Sequence, residues 1–227
     1  MTQHVQQSMD SFYEEWLLRQ ENLLEQLLSA STISDSASEI KHQGRLIDQV
    51  LCHYRQYLEE KSKVASEDVF LLFSPTWLSA YERALLWIGD YKPSLILRLA
   101  DGAVQGLTAE QRRRLERVRD ETKRAEREVS EAMASVQESM ASPRMVGLVR
   151  VVDGEITELE SAIEGLKRAL VRVSARADEL RASTMRKVVG ILSPPQTVQF
   201  LAATMHFQLR VRKWGLQREE VGPSHSQ

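Results

Sequence analysis

Five histidines, one cysteine and a scatter of carboxylates are the groups from which this 227-residue chain could build a reactive centre. Glu39 and His42 stand at the Glu-x-x-His interval that puts two metal ligands on one helical face. A di-metal carboxylate site in a helical bundle needs that motif twice, with two further inward carboxylates. Here it occurs once, and a solvated pair on a helix is the simpler reading. His4, His53, His206 and His225 are scattered singly. A haem would have to use His206 near an aromatic helix or the Cys52-His53 pair, and neither has a partner ligand in the sequence. There is no glycine-rich phosphate loop, no nucleophile elbow and no His-x-x-x-His pair. The expectation is a protein that is not an enzyme and needs no cofactor. A haem or lipid pocket among the aromatics is a third function class behind the two argued below.

Recognition chemistry is better represented. Tyr13, Glu15 and Trp16 sit on an amphipathic stretch and could form an interaction surface with an aromatic anchor, although Trp16 could equally bury in a core. Near the carboxy terminus His206, Arg210, Arg212, Lys213 and Arg218 occur with no acid between Met205 and Arg218. Interleaved with Phe207, Val211 and Trp214, they form a basic amphipathic segment that could engage calmodulin, another acidic partner or an anionic surface. The plainer alternative is a packed helix with snorkelling arginines. Arg112-Arg-Arg114 is a weaker signal. Glu110, Glu116, Asp120 and Glu121 are interleaved with the basic residues there, as on a solvated helix with internal ion pairs.

Charged residues make up 27% of the chain and hydrophobic ones 42%, the balance of an ordinary globular protein with one substantial core. A net charge of -2 supplies no global field towards nucleic acid. The single cysteine, Cys52, excludes an internal disulfide and suits a reducing compartment. The amino terminus lacks the apolar stretch of a signal peptide, and apolar runs stop far short of the ~18 residues of a membrane span. These features predict a nuclear or cytoplasmic protein.

The elements that must position these groups read as helices throughout. Residues 8–29 carry Phe12, Trp16, Leu23 and Leu27 on one stripe, and a serine-rich loop follows. A second helix is predicted from Ser38 to about Val64, with Ser66 capping a continuation that Ser74-Pro75 ends. The stretch 76–94 holds Trp77, Tyr81, Trp87 and Tyr91, and its apolar content predicts a central helix over Leu78–Ile88. Thr76 or Ser79 would cap it, Gly89 would end it, and Trp77, Leu85, Leu86 and Trp87 would form core. A short helix from Pro93 to about Val104 comes next. Thr108 and Gln111 form a capping box ahead of a seam at Leu115, Val118, Thr122, Ala125, Val129, Ala132, Val136 and Ser139. A second seam runs from Ile156 through Leu170 and Ala177 to Thr184. From Ile156 to Leu192 a helix would extend about 55 Å, against a radius of gyration of about 17 Å for a compact domain of this size. The connection over 141–154 is short, so antiparallel pairing within the chain is favoured over pairing with another copy in a homo-oligomer. Ser193-Pro-Pro-Gln196 starts a last helix. The fold class is all-α, a single multi-helix bundle over 10–216 with frayed tails at 1–9 and 217–227.

Several stretches taken in order resemble the plant delay-of-germination domain, which is also the carboxy-terminal domain of TGA-type bZIP transcription factors. They are Tyr13-Glu-Glu-Trp16, Asp68-Val-Phe70, Trp77, Glu82-Arg83-Ala-Leu-Leu-Trp-Ile-Gly89, Leu107-Thr-Ala-Glu-Gln111, Ala177-Asp-Glu-Leu-Arg181 with Thr184, Ile191-Leu192 and Trp214-Gly215. The resemblance implies a helical regulatory and protein-interaction domain of seed dormancy, reproductive development or defence transcription. TGA-type factors carry a basic region and leucine zipper ahead of this domain. Residues 1–30 hold one Lys or Arg, Arg19, so direct sequence-specific DNA binding is not expected. The leading expectation is a regulatory adaptor with protein partners. The alternative is a transcription regulator that reaches DNA through bZIP partners.

Overall fold

The computed structural model describes residues 2–31, 37–143, 145, 147 and 156–221. Among them are seven α-helices: α1 Thr2–Ala30, α2 Ala37–Asp68, α3 Ala80–Ala84, α4 Ser94–Ala103, α5 Ala109–Met140, α6 Ile156–Val189 and α7 Pro194–Val221. A 3-10 turn, Val69–Leu72, follows α2. The only extended pairing among the described residues is an isolated bridge between Trp87 and Asp90. The all-α expectation is met.

The two seams pair with each other, antiparallel. Thr122 faces Thr184 with their hydroxyls 3.3 Å apart, and Lys187 reaches Glu121 at 2.8 Å. Gln111, near the start of α5, donates to the Ile191 carbonyl beyond the end of α6. The capping box at Thr108 and Gln111 forms as predicted, with both reciprocal bonds present. Most of the predicted connection, 141–154, lies outside the described residues, as do residues 32–36 of the serine-rich loop.

Three boundaries differ from expectation. The first helix starts at Thr2, because Val5 and Met9 continue its apolar stripe into the core through residues expected to fray. Helix α2 runs unbroken to Asp68, and Asp68 rather than Ser66 caps the 3-10 turn by accepting the Phe70 N–H. At the other end α7 continues through Gly215 to Val221, because Gly215 packs closely against Ser79 and Tyr81.

The predicted central helix over Leu78–Ile88 is the main correction. Ser79 does cap a helix, with a full capping box to Glu82, but that helix ends at Ala84. Ile88 and Gly89 then take positive φ, 49° and 74°. Trp77 and Leu78 are buried, whereas Leu85 is 41% exposed and Leu86 and Trp87 are only half-buried. The central position belongs to α7, which packs against α1, α2, α3 and α4. Its first five turns bury Val198, Phe200, Leu201, Ala202, Met205 and Val211 on more than one face, the mark of a helix enclosed on several sides.

The core divides into two apolar clusters. One gathers Leu27, Leu46, Val50, Leu97, Leu115, Val188 and the start of α7. The other gathers Met9, Trp16, Tyr57, Leu72, Trp77, Val129 and Leu170. Buried polar side chains are set among them, and these organise the candidate site.

Candidate functional site

The segment between α3 and α4, residues 85–93, has almost no regular backbone pairing of its own. Its carbonyls still need partners, because buried unpaired backbone groups are costly. Arg181 of α6 supplies them. Its guanidinium donates to the carbonyls of Tyr91 (2.7 Å), Ile88 and Asp90 (both 3.0 Å), and to that of Trp87. It also lies over the Trp87 ring at 5.5 Å and pairs with Asp178 at 2.5 Å. One planar five-donor fork therefore sets the shape of a loop that crosses into positive φ. The Trp87 indole N–H reaches the Ser130 hydroxyl at 3.1 Å, which ties the loop to α5.

Beside Arg181 lies Lys61 of α2, whose side chain is 0% exposed. Its ammonium sits 2.6 Å from Asp178, 3.5 Å from Asp90 and 3.4 Å from the Gly89 carbonyl. Two cations and two carboxylates thus balance within one cluster. A lysine at the lysine-rich end of α2 reads by type as solvated, although its place four after Tyr57 and three before Val64 puts it on the apolar stripe.

A second polar knot joins α1, α3 and α7. Glu82 is 3% exposed, and it accepts from the Ser79 N–H and hydroxyl (2.8 Å each), from Arg212 (3.2 Å) and from the Tyr13 hydroxyl (3.3 Å). Arg212 also donates to the Trp77 carbonyl and lies over the Tyr13 ring at 5.0 Å. Burial, then the neighbouring Glu82 carboxylate, pushes the Tyr13 phenol well above its ordinary value.

Trp16 is 3% exposed and stacks on His53 at 4.4 Å, with its indole N–H on the His53 carbonyl. His53 Nε2 faces the Gln20 side-chain oxygen at 3.3 Å. Burial, helped by Arg19, lowers the imidazole to about 4, so it is neutral at ordinary pH.

Of the residues singled out for partner binding, Tyr13, Trp16 and Arg212 are therefore turned inward, and the rings of Tyr13 and Trp16 offer no surface anchor. Glu15 is solvated and pairs with Arg19 at 3.6 Å. Arg210, Lys213 and Trp214 are the ones that face solvent. Trp214 is 50% exposed, with the Arg210 guanidinium over its ring at 5.3 Å. Leu216 beside it is 40% exposed. Arg113 of the Arg112–Arg114 run pairs with Glu110 at 2.7 Å, and Arg114 donates to the Gly190 carbonyl.

The loop also walls a cavity of about 280 Å³. Leu51, Leu58, Leu95, Ile96, Met185 and Phe207 give it an apolar lining, and Arg55, Lys92 and Arg186 are exposed cations on its border. Cys52, His53 and His206 do not line it, so the residues considered for haem do not meet there. Among the described residues no group of three or more His, Cys, Asp or Glu side chains is placed to hold a metal ion, and no helix is long and apolar enough to cross a membrane.

Comparison with known proteins agrees with the sequence resemblance. The family described as "Seed dormancy control" (DOG1) matches residues 20–101, from α1 into α4 and including Lys61, Glu82 and the loop. Protein RESPONSE TO ABA AND SALT 1 of Arabidopsis thaliana is 40% identical over 91% of this chain and 94% of its own length. Protein ZW2 of the same plant is 38% identical over 91% and 95%. Transcription factor TGA7 of Arabidopsis thaliana is 30% identical over 90% of this chain, but over only 55% of its own length. With identity at that level along nearly the whole of both chains, this protein belongs to the seed dormancy control (DOG1) family.

Proposed function

We propose that the protein is a non-enzymatic regulatory adaptor of plant transcriptional or hormone signalling, acting in the nucleus or cytoplasm by docking partner proteins on its helices. The observation that carries this reading is the outer face of α7. Trp214, half exposed and covered by Arg210, stands beside Lys213 and the exposed Leu216. Exposed aromatics flanked by arginine dominate many protein interfaces, and the charge favours an acidic partner, calmodulin included. Relatives named for response to ABA and salt and as transcription factors support a signalling setting.

Affinity capture from plant tissue, with and without nuclease, tests the proposal. Partners held after nuclease by the wild type and lost from Arg210→Glu/Trp214→Ala support a protein adaptor. Capture that collapses on nuclease treatment favours association with DNA through bZIP partners. Capture indifferent to both treatments refutes this face.

The apolar cavity favours a second reading, a receptor for a lipid-class ligand whose anionic head meets Arg55, Lys92 or Arg186. Native mass spectrometry of the purified chain would reveal a co-purified lipid, and a bare chain after exposure to lipid vesicles would count against it.

A further inference from the structure

A second cavity, of about 330 Å³, opens between α5 and the start of α4, and it shares only Lys92 with the apolar cavity. It is lined by Lys92, Lys123, Glu126, Arg127, Ser130 and Glu131. Lys123 and Arg127 are four residues apart on α5, so they are neighbours on one helical face. Like charges at that interval repel. Elsewhere on the same helix three cations are paired: Arg113 and Arg117 with Glu110, and Arg119 with Glu116 at 2.8 Å and with Asp101. No carboxylate among the described residues lies within ion-pair distance of Lys123 or Arg127.

The acids of the cavity do not fill this gap. Glu126 is 4% exposed, and one of its oxygens accepts the Ser94 N–H at 2.6 Å. The other faces Lys92 at 3.8 Å. Glu131 is exposed at the border. Ser130 accepts from the Trp87 indole, which leaves its own hydroxyl proton to donate. Glu131 is then the one acid of the lining left unengaged, against the donors of Lys123, Arg127 and Ser130, so the cavity keeps a surplus of donors. Such a lining suits an anion with several oxygens and close to two charges, better than a single carboxylate.

We propose that Lys123, Arg127, Ser130 and Lys92 form a binding site for a phosphoryl group. Lys123 and Arg127 hold its charge, and the Ser130 hydroxyl donates to one oxygen. Because the Trp87 indole holds Ser130, an occupied site is coupled to the loop that Arg181 shapes. The same chemistry is offered by a phosphorylated side chain of a partner protein and by a free phosphate ion.

The test uses the full chain, inorganic phosphate and O-phosphoserine. Thermal unfolding in phosphate is compared with chloride at matched ionic strength, and both ligands are titrated calorimetrically. Lys123→Gln/Arg127→Gln removes the two α5 cations of the site without touching Lys92, which also borders the apolar cavity. Arg113→Gln, on the same helix but outside the site, is the control. The expected result is a phosphate-dependent rise in melting temperature in the wild type and the control, with affinity at least about tenfold lower in the double variant. O-phosphoserine binding tighter than inorganic phosphate identifies a modified partner as the source, and the reverse order identifies the free ion. No shift in the wild type, or an equal shift in the double variant, overturns the proposal. Neither result bears on the surface at Arg210 and Trp214.

Discussion

Replacing Lys61 with Met tests whether the buried charge cluster holds the loop. Methionine keeps most of the stem volume and removes only the ammonium. Asp178 then retains Arg181 at 2.5 Å, while Asp90 retains the Tyr91 N–H at 2.7 Å and loses its cation. Both carboxylates are only 16% exposed, so water can replace little of what is lost. Breaking a buried pair on one side costs about 3–5 kcal/mol. The partial exposure of the two acids and the surviving Arg181 contact place this case near 3 kcal/mol. For a chain of this length that is a fall in melting temperature of roughly 6 °C or more. Urea unfolding followed by far-UV circular dichroism measures it, with the slope checked for constancy. Asp178→Asn and the double variant complete the cycle, and the double should lose less than the sum because the two groups touch. A Lys61→Met protein within about 1 kcal/mol of the wild type at equal slope would refute the reasoning. The ammonium would then be no more than a tolerated passenger.

Two further outcomes follow from the same geometry. His53 is lowered to about 4 from its ordinary 6.5, first by burial and then by Arg19. The unfolded chain therefore takes up the proton before the folded one as pH falls. The stability from keeping this ring neutral is complete above pH 6.5 and is lost between 6.5 and 4. It amounts to at most about 3 kcal/mol, and urea midpoints across that window in wild type and His53→Gln should show the slope flattened in the variant. Gly215→Ala would bring a methyl group onto the Ser79 hydroxyl and to 2.8 Å from Ser79 Cβ. Ser79 is fixed by its capping box with Glu82, so the cost should be about 1–3 kcal/mol, measured by the same unfolding assay. A neutral result would mean that α3 and α7 separate easily.

Much of the fold could be read from local pattern. The seams of α5 and α6, the capping box at Thr108 and Gln111, the cap at Ser79 and the turn at Gly89 all depend on neighbours within a few residues, where helix periodicity and capping chemistry act. Composition and the absence of alternating strands were enough for the all-α class, and the ordered stretches from Tyr13 to Gly215 pointed to the family. What the chain could not declare locally was which apolar run lies at the centre. The residues after Ala84 have the composition of a helix, yet Arg181, more than ninety positions away from Trp87, takes up their carbonyls and opens the backbone at Ile88 and Gly89. Lys61 and Glu126 look solvated by type and become interior only because Asp178, Asp90 and the Ser94 N–H arrive from other elements. Trp16 and Trp214 carry the same chemistry in sequence. Packing against His53 and Tyr57 buries the first, and the end of α7 leaves the second half in water. Short-range bonding is encoded where it occurs, whereas burial and charge pairing belong to contacts that exist only once distant helices have met.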